Sequence, residues 1–243
     1  MPPRALEPAG IVLADKPAGP TSHDLVAALR RRTGARTGHA GTLDPFATGL
    51  LLLLSGSTTK LSGSFTGLDK RYVTEVDLTA RTSTGDPEGD VVERSQPPEP
   101  GELERLLAGL RGEVALPVPS ASAVKIGGER AYRLHRRGVA VELPVRRTTI
   151  YELRLDRFDG EVAALELHVS SGTYVRSLAE ALGGHCRSLR RTTIGPFSVE
   201  EADWERIVPA DEALARLQAW RMPASPLSEP PGRGARERGA EAS

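Results

Sequence analysis

The longest apolar run in the chain, Leu50–Leu54, is five leucines entered directly from a polar, glycine-rich loop, Thr37–Gly49. Five residues fall far short of the ~20 that cross a bilayer as a helix, so the run reads as a strand and no membrane span is expected. The loop before it is Arg36-Thr37-Gly38-His39-Ala40-Gly41-Thr42-Leu43-Asp44-Pro45-Phe46-Ala47-Thr48-Gly49, and it delivers a single carboxylate, Asp44, to one end of that strand. Glycines on both sides let backbone approach a ligand closely, and Pro45 stiffens the bond that follows the acid. The pattern describes a preorganised acid; by itself, an Asp-Pro step describes an ordinary turn equally well.

Upstream, Gly10–Lys16 reads as a short buried strand stopped by Pro17. A helix follows, capped by Thr21 or Ser22, striped by Leu25, Val26 and Leu29, and closed by Gly34 behind Arg30–Arg32. Lys70–Leu78 alternates as a strand, Arg81–Gly89 is a polar loop, and Leu103, Leu106, Leu107 and Leu110 fall at helical spacing within Glu102–Leu110. Thr148–Phe158 and Val162–Val169 form a hairpin turned at Asp159-Gly160. A helix is expected from Ser170-Ser171-Gly172-Thr173 through Leu182, a last strand around Thr192–Val199, and a short helix near Asp211–Trp220.

The 32 basic and 32 acidic residues cancel, so a polyanion partner must be met by a local surface rather than a global field. That surface lies between Leu116 and Arg147, where Arg130, Arg133, His135, Arg136, Arg137, Arg146 and Arg147 face only Glu129 and Glu142. Only Lys16, Lys60, Lys70 and Lys125 are lysines; the arginine bias suits RNA, although coding bias explains it as well. Cys186 is the sole cysteine, which excludes an internal disulfide and fits a reducing cytoplasm. There is neither a spaced His/Cys ligand set nor a phosphate loop with its usual lysine, so neither a metal nor a nucleotide cofactor is expected.

The Asp44 segment resembles the catalytic motif of the TruB family of tRNA pseudouridine synthases. Asp15-Lys16-Pro17-Ala18-Gly19-Pro20-Thr21-Ser22, Asp69-Lys70-Arg71-Tyr72 and Gly172-Thr173-Tyr174-Val175-Arg176-Ser177-Leu178 are similar to further blocks of that family, in order from about residue 10 to residue 200. The resemblance implies an α+β pseudouridine synthase fold: a mixed, mainly antiparallel sheet flanked by helices, with an RNA-gripping insertion at about 116–147. It also implies a cofactor-free isomerisation of the T-loop uridine at tRNA position 55. Asp44 is then the catalytic acid, Arg176 the guanidinium that pairs with it, and Tyr72 the aromatic that stacks on the target base. His39 matches the residue that fills the space the extruded base leaves. Tyr174 and Leu189 match positions lining the uridine pocket, and Lys16, Asp86 and Lys125 fall in matching blocks as backbone contacts or pocket supports.

Three features depart from the family pattern. Pro119-Ser120-Ala121-Ser122-Ala123 lacks the aromatic that commonly precedes the Ser-Ala pair, and the spacing from Arg176 to Leu189, through Ala179-Glu180-Ala181, is short. After Val199 too few residues remain for the RNA-binding PUA domain of many members. The expected organisation is therefore a catalytic domain over 1–207, a short helical extension over 208–224, and a disordered tail over 225–243. A cytoplasmic monomer binding the tRNA T arm is the expectation; a tRNA-binding folding factor, or a synthase acting on another RNA, are the alternatives.

Overall fold

The computed structural model describes residues 9–122, 124–139 and 141–221. In chain order the first strands and helix are β1 (Gly10–Lys16), α1 (Ser22–Thr33), β2 (Thr37–His39) and β3 (Thr48–Ser55). They are followed by α2 (Ser62–Thr66), β4 (Lys70–Asp77), β5 (Ala80–Thr82), β6 (Val91–Arg94), α3 (Pro100–Gly109) and β7 (Gly112–Pro117). The insertion holds β8 (Lys125–Ile126), β9 (Glu129–Arg130) and α4 (Ala131–Arg136). The chain continues through β10 (Val145–Phe158), β11 (Val162–Val169), α5 (Val175–Ala181), β12 (His185–Ile194), β13 (Phe197–Ser198), β14 (Val208–Pro209) and α6 (Ala210–Arg221).

Leu50 to Leu54 lie in β3, and all five are 0% exposed because alternate side chains enter different cores. Leu51 and Leu53 pack with Val26 and Leu29 of α1. Leu50, Leu52 and Leu54 pack with Phe65, Leu68, Phe197 and Leu217. A strand covered on both faces needs no polar alternation, which is why this one reads as unbroken leucine. A third core gathers Tyr72, Val76, Leu103, Leu107, Leu165, Leu178 and Leu189 between the other half of the sheet and helices α3 and α5.

The main sheet runs β14-β1-β3-β12-β4-β11-β10-β7, with β2 on β3 and β13 on β12. Its pairings are antiparallel except β3 with β12, which meet in parallel at Thr48–Arg190 and Gly49–Arg191. That junction lies where the Asp44 loop enters β3. Gly49 has φ 102°, and a Cβ there would stand 2.2 Å from the Arg191 carbonyl oxygen, so only glycine permits the approach.

The mixed, mainly antiparallel sheet flanked by helices agrees with expectation, and α1 carries the expected Thr21 capping box and left-handed Gly34. Several boundaries differ. The expected loop at 37–49 begins with β2, and β5 and β6 form a small hairpin around a shorter polar loop. The expected helix from Ser170 starts at Val175, because Ser170 is spent on hydrogen bonds to Thr149 N and Thr148 Oγ1 and cannot cap it. The expected strand around 192–199 is in fact β12 from His185 to Ile194, a central strand, with Phe197–Ser198 turning back on it. Its run of Arg187, Ser188, Arg190, Arg191, Thr192 and Thr193 hides the strand, since the charge masks the buried positions Cys186, Leu189, Arg191 and Ile194.

The insertion leaves and re-enters the sheet through its last two strands, β7 and β10, paired from Val145–Pro117 to Ile150–Gly112. The stretch expected from 116 to 147 is thus rooted in the sheet at both ends. The expected extension over 208–224 is β14 and α6 as far as Arg221; its last residues and the expected tail lie outside the described residues.

Candidate active site

Asp44 is presented at the mouth of a loop closed from three sides. Ser22, at the start of α1, takes both polar groups of Leu43: its hydroxyl donates to the carbonyl at 3.0 Å and accepts from the amide at 2.9 Å. Lys16, at the end of β1 and 0% exposed, donates to the carbonyls of Pro17, Pro45 and Ala47 at 2.8, 3.1 and 2.8 Å. The Gly19 amide donates to the Pro45 carbonyl. The segment from Asp15 to Ser22 therefore folds against the Asp44 loop, with Lys16 as its central tie.

Arg176, on the buried face of α5 and 2% exposed, supplies the third side. Its Nη2 donates to Asp44 Oδ1 at 3.2 Å, and its Nε lies 3.0 Å from Oδ2 as an ion-pair contact without a hydrogen bond. The rest of the guanidinium holds the Thr84 carbonyl at 2.7 Å, the Ala121 carbonyl at 3.0 Å and Asp86 Oδ2 at 3.3 Å. Arg176 thus joins the Asp44 loop, the 82–90 loop and the root of the insertion. Ala121 takes part through its carbonyl, so the missing aromatic removes no hydrogen bond from this set. Asp86 is in turn oriented by the Thr84 hydroxyl and the Glu88 amide, both reaching Oδ1.

A half-buried carboxylate, Asp44, and a buried one, Asp86, therefore share one guanidinium. Burial pushes the Asp44 carboxyl above its ordinary range; Arg176 pulls it back, Asp86 adds to the upward push and Lys16 opposes it. The family resemblance implies that Arg176 keeps Asp44 charged, and Arg176 acts in that direction, but desolvation is the larger effect. Even so, the Asp44 side chain keeps 30% of its surface open, so the acid faces outward while its support is dry.

Tyr72 is 7% exposed, on the buried face of β4, flanked in register by Arg191 of β12 and Leu167 of β11. It belongs to the apolar cluster that also holds Leu43, Ala47, Val175 and Leu189, which places it and Leu189 with the residues on either side of Asp44 and with the neighbour of Arg176. The short spacing before Leu189 is accommodated by α5 ending at Ala181 and two glycines leading into β12. Tyr174 stands at the start of α5, half-buried, in a shallow pocket with Leu116, Pro117, Arg146, Thr148 and Ser177. His39 ends β2, half-buried, edge-on to His23 with ring centroids 6.3 Å apart and its Nδ1 unpartnered. Burial, then His23 and Arg191, hold its imidazole below the usual value, which favours a neutral ring. Lys125 is different: it sits exposed on β8, and among the described residues no hydrogen bond or ion pair joins it to the Asp44 loop.

A family model described as TruB family pseudouridylate synthase (N terminal domain) matches residues 30–175. The chain belongs to the TruB family. It is 48% identical over 209 residues to the tRNA pseudouridine synthase B of Mycobacterium sp. (strain KMS), covering 79% of this chain and 69% of that one. It is 44% identical over 232 residues to the tRNA pseudouridine synthase B of Leifsonia xyli subsp. xyli (strain CTCB07), covering 86% and 76%. Among solved structures, a chain of a Cbf5-Nop10-Gar1 complex superposes with TM-score 0.60 at 26% identity over 78% of this chain. This chain spans half the length of that one. The TruB family signature thus covers the Asp44 loop, Tyr72 and Tyr174, and stops one residue short of Arg176.

One residue of this arrangement is not legible from the motifs. Arg191, 1% exposed, donates to the carbonyls of Leu50, Thr42 and Gly41 at 2.7, 3.3 and 3.1 Å. Its only sequence signal is its place two residues beyond Leu189 on one face of β12, in the part of that strand that precedes the expected start near Thr192.

Proposed function

We propose that the chain isomerises uridine to pseudouridine in the T loop of tRNA, at position 55, with Asp44 as the reacting carboxylate. The observation that carries this is the Arg176–Asp44 pair: a partly open acid on a loop of the TruB family, aimed by a buried guanidinium. The reaction breaks the C1'–N1 bond, turns the base and joins C1' to C5. The C5 proton is lost and N1 gains one, so no redox partner or external energy is needed. Asp44 assists departure of the base. Tyr72 stacks on it, with base stacking of this kind contributing roughly 1–3 kcal/mol, and Leu189 and Tyr174 complete the wall.

The target uridine must leave the folded T loop, at a cost of a few kcal/mol. His39, flat and held neutral, supports a role as the group that enters the vacated space. The insertion with Arg133, Arg136, Arg137, Arg146 and Arg147, all exposed, suits phosphates of the T arm, which position an RNA without reading its sequence. Lys125 on its hairpin belongs to that surface rather than to the pocket. Lys16 and Asp86 support the loop and the guanidinium. The residues over 1–207 serve as the catalytic domain with β14 and α6 closing it, and the working unit is a cytoplasmic monomer; no helix among the described residues is long and apolar enough to cross a membrane.

Incubation of purified protein with unmodified tRNA, followed by chemical mapping of pseudouridine, tests the assignment. Product at position 55 alone is expected, lost in Asp44→Asn with tRNA binding retained. Product elsewhere would reassign the RNA, and an unchanged rate in Asp44→Asn would remove the carboxylate from the chemistry.

A further inference from the structure

Burying a guanidinium without a counter-ion is unfavourable unless every donor finds a well-placed acceptor. Arg191 is in that position: among the described residues its hydrogen bonds go to backbone carbonyls and it has no ion-pair partner. Those carbonyls are not scattered. Gly41 and Thr42 precede Asp44, and Leu50 follows it at the point where the loop becomes β3. Arg191 therefore ties the two ends of the Asp44 loop to each other, while Lys16 ties its middle through Pro45 and Ala47. The tie is made where β12 and β3 run parallel, with Gly41 at φ 91° and Gly49 at φ 102°.

We propose that Arg191 is a positioning residue for the isomerisation: by gripping the carbonyls of Gly41, Thr42 and Leu50 it fixes the width of the loop mouth and hence the direction in which the Asp44 carboxylate points. This rests on the reading of Asp44 as the reacting group. A lysine at 191 keeps the charge but gathers its donors on one compact nitrogen, where the planar fork of arginine meets Leu50, Thr42 and Gly41 with three separate nitrogens, Nε, Nη1 and Nη2, so the substitution changes the spacing of the grip. A displacement of 1 Å at a reacting group can cost about 10²-fold in rate.

The test compares wild type, Arg191→Lys, Gly41→Ala and Asp44→Asn for kcat, KM and stoichiometry of tRNA binding. Gly41→Ala leaves Arg191 intact but forces a side chain onto a positive φ, which shifts the same carbonyl from the loop side. For Arg191→Lys the expected result is full binding stoichiometry, unchanged KM and kcat lower by about 10²-fold. Gly41→Ala should show the same split. A wild-type kcat in Arg191→Lys, or a loss confined to KM or to binding stoichiometry, overturns the proposal. If Arg191→Lys does not fold, Gly41→Ala decides: the kcat loss at unchanged KM supports the positioning role, and a wild-type kcat overturns it. An active Asp44→Asn would instead overturn the assignment of the reacting group, so the two failures are told apart.

Discussion

The cations around Asp44 and those of the insertion are arranged in opposite ways. Lys16, Lys70, Arg176 and Arg191 are each 6% exposed or less, and they hold carbonyls of the loop, its neighbours and the two carboxylates. Arg133, Arg136, Arg137, Arg146 and Arg147 are exposed, and the Arg137–Glu129 pair at 2.8 Å leaves the Arg137 side chain 58% open. The first group has fixed direction and low dielectric around it; the second is screened by salt and free to re-aim. Chemistry that depends on where one carboxylate points needs the first kind. A grip on an RNA backbone needs the second.

The largest expected effect breaks the first region at its centre. Asp44→Asn should lower product formation by an amount on the order of 10⁴-fold or more, the scale of losing a reacting group, while leaving the midpoint of a tRNA titration in place. Arg176→Met comes next. It leaves Asp44 and Asp86 facing each other without their shared cation, and breaking a buried pair in this way costs roughly 3–5 kcal/mol. Denaturant unfolding should show that loss at neutral pH and partial recovery as the Asp44 carboxyl protonates in acid. The same variant sharpens the pH reading. Arg176 lowers the Asp44 value against a larger upward push from burial, so its removal should move the acid limb of the rate profile to higher pH. An acid limb that stays where it is in the wild type would mean that Asp44 does not set it.

How far the two regions were legible in sequence follows from the same contrast. The Asp44 loop, Lys16, Tyr72 and Arg176 are legible through the resemblance of their four blocks to the TruB family, since an Asp-Pro step alone reads equally well as a turn; the structure packs Lys16 and Arg176 against the Asp44 loop and puts Tyr72 in the apolar cluster that holds Leu43 and Ala47. The leucines of β3 are legible because a strand buried on both faces leaves an unbroken apolar run. β12 is not, since three of its ten residues are arginines, Arg187, Arg190 and Arg191, and the acceptors of Arg190 and Arg191 come within reach only once the sheet forms. Arg191 in particular looks like a surface charge until β3 and the loop carbonyls are placed around it. The starting point of α5 was missed for a similar reason: Ser170 has cap chemistry, but its hydroxyl goes to β10. Long-range backbone acceptors leave no local trace.

The cost of burying cations in the first region is measurable at Lys70. Burial, with Arg191 adding, lowers its ammonium from 10.5 to about 8, with Asp69 opposing. The unfolded chain therefore binds more protons than the folded one between about 8 and 10.5, so stability rises with pH through that window and is lost again as pH falls through about 8. The difference amounts to roughly 3 kcal/mol at most. Unfolding free energies of wild type and Lys70→Met at pH 8 and pH 10 should differ in slope, the variant being flatter; parallel slopes would show that Lys70 carries no such penalty.

The smallest effects belong to the insertion, and they are expected to be small one at a time. Replacing Arg133, Arg136, Arg146 or Arg147 singly by Gln removes an exposed charge with no buried partner, so folding stability should stay within about 0.5 kcal/mol of wild type. If each contacts one phosphate, the slope of log affinity against log salt should fall by about one per substitution, and KM should rise while kcat stays constant. Arg137→Gln serves as the internal comparison, because its guanidinium already pairs with Glu129 and should contribute less. The prediction has a sharp opposite. A substitution in this group that lowers kcat at saturating tRNA would mean that the insertion acts on the pocket as well as on the RNA, and the obvious route is the Ala121 carbonyl, which Arg176 holds at 3.0 Å beside Asp44. The two regions would then be one device rather than a fixed centre with an adaptable grip.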